Sequence, residues 1–574
     1  MTTPPDHDQN RQNNVVPHHT MIQNLVCREI LLRVLGISGI LIFSACSPGN
    51  EPNAVTGSRE QILHIGNGTE PQDLDPHIVT GVPEHRVVYA LLEGLVDKNP
   101  RDLAPEPAVA RSWSVSNNHT RYTFHLRDNA KWSNGDRVTA RDFVYSWNRV
   151  LLPRLGSQYA YMLFPIKNAE RFYKREISDF AAVGVTAPDD HTLVVELERP
   201  TPYFLQLLSL PVYFPVHRKT IEKFGAVDER GTRWTRAGNF VGNGAFRLKE
   251  WILNRIITVE KNPYYWDAAN VRLNRINFYP VDNITTEERM FRAGQLHITE
   301  GIPTQKIAVY KSEHPDLIRN VPYLGTYYYS INVTRPPLND VRVRRALAMT
   351  INREQLIADV TKGGQLPAYT FTPPDTNGYT APALIKYDID AARDLLAQAG
   401  YPNGDDFPSL TLTYNTSEGH RQIATAVQQM WKTALNIDIT LENQDWKVFL
   451  DNQRTMNYRI SRASWIGDYL DPNTFLDMFV TAGGNNRTGW SNPRYDKMIT
   501  AAANTTDQKR RYSLFQKAER ILMNEVPVIP IYTYTRTYLV SPDVKGWYSN
   551  ILDYHPYKYV YLSPPGGKSG GNPD

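Results

Sequence analysis

The stretch 107–147, PAVARSWSVSNNHTRYTFHLRDNAKWSNGDRVTARDFVYSW, holds three kinds of element within forty-one residues. Tyr122–Arg127 alternates as a strand does. Asn134-Gly135 is a tight turn, and a helix is expected to begin at Thr139. A strand, a turn and a capped helix in close succession point to mixed α/β architecture.

The same mixture continues on both sides. Gln61–Ile65 has a short strand pattern, and Val87–Leu95 has helical apolar spacing through Val88, Leu91, Leu92 and Leu95. Thr186–Glu198 alternates around a turn at Asp189-Asp190, and Ile256–Glu260 is a further strand. Val343–Ile351, Ala391–Ala399 and Ile423–Leu435 have helical spacing, and the strand Ile437–Leu441 follows the last of them. Strands and helices alternate in the last third, which argues for α/β units there. No internal repeat is present.

A chain of 574 residues is too long for one core and implies about three or four domain-sized units. A net charge of +4 is small at this length, so no nucleic-acid partner is implied. The only two cysteines, Cys27 and Cys46, lie near the N-terminus, so the rest of the chain has neither disulfide nor thiol nucleophile. No HExxH or Walker A string occurs, which speaks against an enzyme, although a triad assembled in space leaves no trace in sequence order. No cofactor and no metal site is expected, and His18-His19 has no further ligand types beside it.

Residues 1–20 are polar and expected to be disordered. Arg28 and Arg33, the apolar run Val34–Phe43 and the small residues Ser44-Ala45 before Cys46 follow in the order of a secretion signal. That run is too short to span a bilayer. Met1 and Met21 both stand as starts, and the polar preface argues for Met21. Residues 47–60 are read as a linker, with the globular part placed from residue 58, and 563–574 as a disordered tail.

The second informative stretch is Ser461–Leu476, SRASWIGDYLDPNTFL. Asp468 lies between Trp465 and Tyr469, with Arg462 and Arg454 upstream. A carboxylate for an ammonium group, guanidinium groups for carboxylates and aromatic walls suit a small zwitterion. A surface strand ending in a turn at Asp471-Pro472-Asn473 has the same pattern.

The block 107–147 closely resembles the oligopeptide-binding proteins of bacterial ABC importers, the family 5 extracellular solute-binding proteins. So do Asn262-Pro263-Tyr264-Tyr265-Trp266, Tyr327-Tyr328-Tyr329-Ser330-Ile331-Asn332, Asn339–Leu347 and the stretch around Asp468. The resemblance runs from about Leu63 to about Leu562. It implies an α/β periplasmic-binding-protein fold of two lobes with an extra inserted domain and hinge closure around the ligand. On that template lobe 1 takes 58–93, 217–324 and 535–562, the inserted domain 94–216, and lobe 2 325–534. It also implies an exported, monomeric receptor in the periplasm or cell envelope that captures short peptides and delivers them to the permease and ATPase subunits of an importer. The residues before Cys46 resemble a lipobox, though Phe43 departs from the usual Leu, so a lipid anchor at Cys46 is expected as the only membrane attachment.

By position in the resembling motifs, Asp468 meets a peptide's α-ammonium, and Ser464, Trp465 and Ile466 offer main-chain groups to the peptide as to an added strand. Thr80, Gly81 and Val82 pair from the other side. Trp446 and Trp465 line side-chain pockets, while His420 and Arg462 match residues that meet ligand carboxylates. Two departures stand out: Thr80 and Arg454 replace a Glu and a His common among relatives that take general peptides. They make the pocket more positive, which fits a ligand with an extra carboxylate such as cell-wall tripeptide, with Arg454 as the second carboxylate's partner. Arg454 paired with Asp451 is the alternative. A cysteine pair of some members would fall at Gly325 and Ile466, and both are absent. A peptide sensor outside transport is a further alternative.

Overall fold

The computed structural model describes residues 51–564. The signal, Cys46 and nearly all of the expected tail lie outside the described residues. Three sheets carry the fold, with smaller two-stranded ribbons at the periphery.

The first sheet has four strands in the spatial order Ile62–Gly66, Arg275–Tyr279, Ile256–Lys261, Phe246–Ile252. The first pair is parallel and the rest antiparallel. The second, antiparallel, contains Ala110–Val115, Arg121–Leu126, Thr192–Glu196 and Val185–Thr186. Tyr122, Phe124 and Leu126 bury one face of their strand, while Arg121 on the other face is exposed. The helix after the turn is Ala140–Leu151, and Thr139 and Asp142 close a reciprocal capping box at its start.

The third sheet has six strands, ordered Leu366–Pro367, Val528–Leu539, Ile318–Ile331, Ile460–Ile466, Leu410–Asn415, Ile439–Gln444. Leu410–Asn415 and Ile439–Gln444 are parallel and joined by the helix Glu418–Leu435, the α/β unit expected from the alternation. The two longest strands, Ile318–Ile331 and Val528–Leu539, run antiparallel for most of their length, with a register shift between Pro322 and Thr326. Both expected lobe boundaries on this side, 324/325 and 534/535, fall inside these two strands.

Three local expectations are corrected. The segment read as linker forms a helix, Asn53–Glu60, because Ser58 bonds to Asp543 at 3.0 Å and Ala54 N–H donates to the Gly294 carbonyl at 2.7 Å. The helix expected over Val87–Leu95 is instead Val82–Leu91, since Gly244 N–H takes the Leu91 carbonyl and Leu92 turns extended. Ser563, placed in the tail, donates its N–H to the Asp543 carbonyl at 2.8 Å.

Two buried ion pairs fix the parts that surround the site. Arg149 grips Asp75 with both nitrogens at 2.9 and 2.6 Å, tying the Ala140–Leu151 helix to the loop after the first strand. Arg511 does the same to Asp471 at 2.5 and 2.7 Å, anchoring the turn after Ile460–Ile466 to the helix Gln508–Glu525. Bidentate geometry holds each turn in place as well as neutralising it.

Candidate functional site: a cavity lined by Asp468, Arg462 and Arg487

A cavity of about 570 Å³ is lined from all along the chain: by Thr80, Gly81 and Val82, by the ends of the two long strands, and by the loop after Ile460–Ile466. Its size suits a ligand of a few residues.

The strand Ile460–Ile466 enters the cavity with one edge covered and the other largely open. Ile318–Ile331 pairs with it along its whole length, Ile466 opposite Gly325, Trp465 opposite Thr326 and Ser464 opposite Tyr327. On the other edge Leu410–Asn415 pairs only with Ile460 and Ser461. The main chain of Ser464–Ile466 is thus an edge at which an extended ligand can add. The expected alternative, a surface strand, does not hold: Ser461, Arg462, Ala463 and Trp465 are buried.

Asp468 stands just past that edge. Its N–H donates to Thr474 Oγ1 at 3.0 Å, and Trp465 Nε1 donates to the Thr474 carbonyl at 2.6 Å, so one threonine fixes both. Tyr203 stacks on Tyr469 with ring centroids 4.8 Å apart, and Leu470 N–H donates to Gln206 Oε1 at 3.1 Å. The half-buried carboxylate keeps one oxygen, Oδ2, out of bulk water with no hydrogen-bond partner. Burial pushes its pKa up to about 7, against the opposing pull of Lys98 and of the nearby Tyr159 and Thr474 hydroxyls. Lys98 is itself pushed down to about 8 by burial and rests over the Tyr554 ring at 4.6 Å.

Facing this edge, Gly81 is extended, and a side chain there would strike Glu84 and Trp446. Trp446 donates Nε1–H to Glu84 Oε1 at 3.2 Å, joining two segments 362 residues apart. Arg462 donates to Asn415 Oδ1 at 3.3 Å and Tyr534 OH at 2.9 Å, and lies over the Tyr327 ring. His420 is held well below its usual pKa by burial and by Arg462, so it is neutral and can offer a carboxylate one N–H but no charge.

Ten of the eleven expected ligand-binding residues line this one cavity: Thr80, Gly81, Val82, His420, Trp446, Arg462, Ser464, Trp465, Ile466 and Asp468. Arg454 does not. It sits in the last turn of the helix Trp446–Arg454, exposed, and pairs with Asp451 at 2.5 Å, so the alternative reading of that residue is the one the geometry supports. Its neighbour Gln453 turns inward instead. The cavity has a guanidinium that the sequence reading missed, Arg487, in the loop before the helix Pro493–Ala503. No motif surrounds it.

Residues 104–487 match the family of bacterial extracellular solute-binding proteins, family 5 Middle. The chain belongs to that family. Among family 5 relatives, the periplasmic oligopeptide-binding protein OppA of Salmonella typhimurium is 38% identical over 91% of this chain and 96% of its own length. The structure of Haemophilus influenzae OppA in complex with the peptide RPPGFSPFR superposes with a TM-score of 0.84 at 36% identity, covering 88% of this chain and 99% of that one. The Escherichia coli murein tripeptide binding protein MppA superposes at 0.83 and 38% identity, over 87% and 98% of the two chains. An unliganded open form of MppA, also 38% identical and covering 88% and 97%, superposes only at 0.60. Identity being equal, the difference lies in the arrangement of parts, and this family 5 protein has the arrangement of the peptide complex. The fold is the two-lobed binding-protein fold expected from the sequence, and these relatives are binding proteins.

Proposed function

We propose that this protein is an exported receptor that captures short peptides between its lobes and hands them to an ABC importer. The observation that carries this is Asp468, its N–H held by Thr474 at the end of an open strand edge and its carboxylate left with an unpartnered oxygen. A peptide's α-ammonium would supply the missing partner, while its main chain adds to Ser464–Ile466 on one side and meets Thr80–Val82 on the other. The lobes would be 58–93 with 217–324 and 535–562, and 325–534, with 94–216 inserted. Ile318–Ile331 and Val528–Leu539 cross between them and would carry the hinge.

Calorimetry of tri-alanine against N-acetyl-tri-alanine tests the reading. The free peptide should bind and the acetylated one should not; equal binding would remove Asp468 from this role. Co-purification of permease and ATPase subunits separates a transport receptor from a peptide sensor.

A murein tripeptide is the second reading. Arg462 and Arg487 both face the cavity with neutral hydrogen-bond partners only, which favours a ligand with more than one carboxylate. Lipid anchoring through Cys46 belongs to the same proposal: Cys46→Ser protein should move from the detergent phase to the aqueous phase on partitioning.

A further inference from the structure

Most cations around the cavity have an evident structural answer. Arg86 and Arg536 close on Glu300 and Asp553. Lys98 lies over Tyr554 and within the field of Asp97 and Asp468. Arg462 lies over Tyr327 and belongs to the carboxylate contacts already considered.

Arg487 has no such answer. Its Nη1 donates to Gln453 Oε1 at 3.0 Å and its Nη2 to Gln158 Oε1 at 2.7 Å, two neutral amides from segments far apart in the chain. Its Nε is shielded from water and has no hydrogen-bond partner. Its carbonyl accepts from the Tyr458 hydroxyl at 2.5 Å, which fixes the backbone but brings no charge. Among the described residues it makes no ion pair, and burial first, with Arg454 a lesser cause, disfavours its charge. A shielded guanidinium without a counter-ion is costly, and two amides that hold its fork in place without neutralising it leave the charge to act on something else. A guanidinium fork matches a planar carboxylate in two hydrogen bonds.

Its place relative to Asp468 limits what that carboxylate is part of. Tyr159 is the link: Arg487 holds the preceding residue, Gln158, and the Tyr159 ring lies 6.2 Å from that of Trp465, three residues before Asp468, so that the tyrosine stands in the field of both charges. The negative and the positive group therefore flank one tyrosine. A ligand whose ammonium sits on Asp468 brings the side chain of its first or second residue into this neighbourhood, well before a tripeptide's C-terminus.

We propose that Arg487 is an anion subsite for a side-chain carboxylate on the first or second residue of the bound peptide, held ready by Gln453 and Gln158. This rests on the peptide reading with Asp468 at the ammonium. It replaces Arg454 as the source of any preference for an acidic ligand.

The test is calorimetry on the whole protein with four matched peptides: Glu-Ala-Ala against Gln-Ala-Ala, and Ala-Glu-Ala against Ala-Gln-Ala. Each pair differs only in carboxylate against amide. At least one pair should favour Glu by tenfold or more, and Arg487→Gln should bring that ratio close to one. Arg487→Lys keeps the charge without the fork and should give an intermediate ratio. Dialanine against its C-terminal amide distinguishes a side-chain carboxylate from the α-carboxylate of a short ligand: a preference for free dialanine that Arg487→Gln abolishes, with no Glu preference, assigns the subsite to the C-terminus and overturns the proposal. No Glu preference in the unaltered protein overturns it without any variant needing to fold. So does a preference that survives Arg487→Gln. If the neutral peptides bind and only the ratio is flat, the subsite alone fails; if no free peptide binds, the peptide reading fails with it.

Discussion

On one side of the cavity Arg86, Glu300, Arg536, Asp553 and His555 close on one another; on another, Asp468, Arg462 and Arg487 face the same space with neutral partners or none. In the first group Arg536 reaches Glu300 at 2.9 Å and Asp553 at 2.7 Å, and His555 reaches Asp553 at 2.9 Å while Trp547 stacks on its ring. Each carboxylate there is met by a guanidinium, and the one shielded atom without a hydrogen-bond partner is His555 Nδ1. In the second group Asp468 Oδ2, Arg462 Nε and Arg487 Nε have no hydrogen-bond partner. Similar residue types in one cavity thus do different work. A closed network holds two segments together, whereas unanswered charge is available to a ligand.

The largest expected effect breaks the closed group. Asp553→Asn leaves Arg536 and Arg86 partly unanswered in a buried site and should cost about 3–5 kcal/mol of stability, read by urea unfolding. The discrimination between free and acetylated peptide should survive it. Asp468→Asn should do the reverse. Binding of tri-alanine should weaken by about 2–5 kcal/mol, the range for one side of a buried charge pair removed, while the unliganded protein melts no lower than the parent. If Asp468→Asn instead unfolds the protein, the carboxylate belongs with the structural group.

Acidity sharpens the contrast, because the two carboxylates titrate with opposite sign. Against the push of burial, Arg536 and the hydrogen bond and charge of His555 hold the Asp553 carboxyl far below the ordinary range. Its contribution to stability is present above the unfolded-state value, about 3.9, and is lost only as pH falls through the depressed one. The Asp468 carboxyl is raised to about 7 by burial, so between the unfolded-state value and 7 the folded protein holds the extra proton. Its ionisation therefore lowers the stability of the unliganded protein as pH rises towards 7. The groups acting on it or titrating beside it are Lys98, Tyr159, Thr474, Tyr89, Tyr161 and Asp477. Affinity for free peptides should rise from pH 5 to pH 7 as Asp468 ionises, and fall again above about 8 as the ligand's amine loses its proton. Calorimetry across that range should show the acidic limb flattened in Asp468→Asn. The smallest effect is at Arg454: Arg454→Ala should change both stability and peptide affinity by less than about 0.5 kcal/mol, as expected of an exposed pair outside the cavity.

Much of the fold was legible because its signals are local. Thr139 with Asp142 marks a helix start, and the alternation over Tyr122–Leu126 marks a half-buried strand. Asp468, Trp465 and Arg462 were legible because they share one strand and its exit. Arg454 kept two readings in the sequence because it lies at the margin of its helix's inward stripe: Phe449, Leu450 and Gln453 turn in, and the next residue turns out to meet Asp451. Arg487 was invisible for a different reason. What makes it unusual is the absence of a counter-charge in space, and its two partners stand 34 and 329 residues away. The Asn53–Glu60 helix was hidden likewise, since distant contacts to Asp543 and Gly294 hold a polar, glycine-containing segment in shape.

Gly325 faces Ile466 across neighbouring strands, and the Ile466 Cδ1 occupies the space a side chain at residue 325 would need. The two strands thus meet through packing at this position, and residues 51–564 contain no sulfhydryl at all. Glutathione and disulfide isomerases have no thiol or disulfide to act on there. This body is therefore indifferent to the thiol–disulfide potential around it. It should fold alike in a reducing cytosol and an oxidising envelope, with the same melting temperature whether purified with or without dithiothreitol.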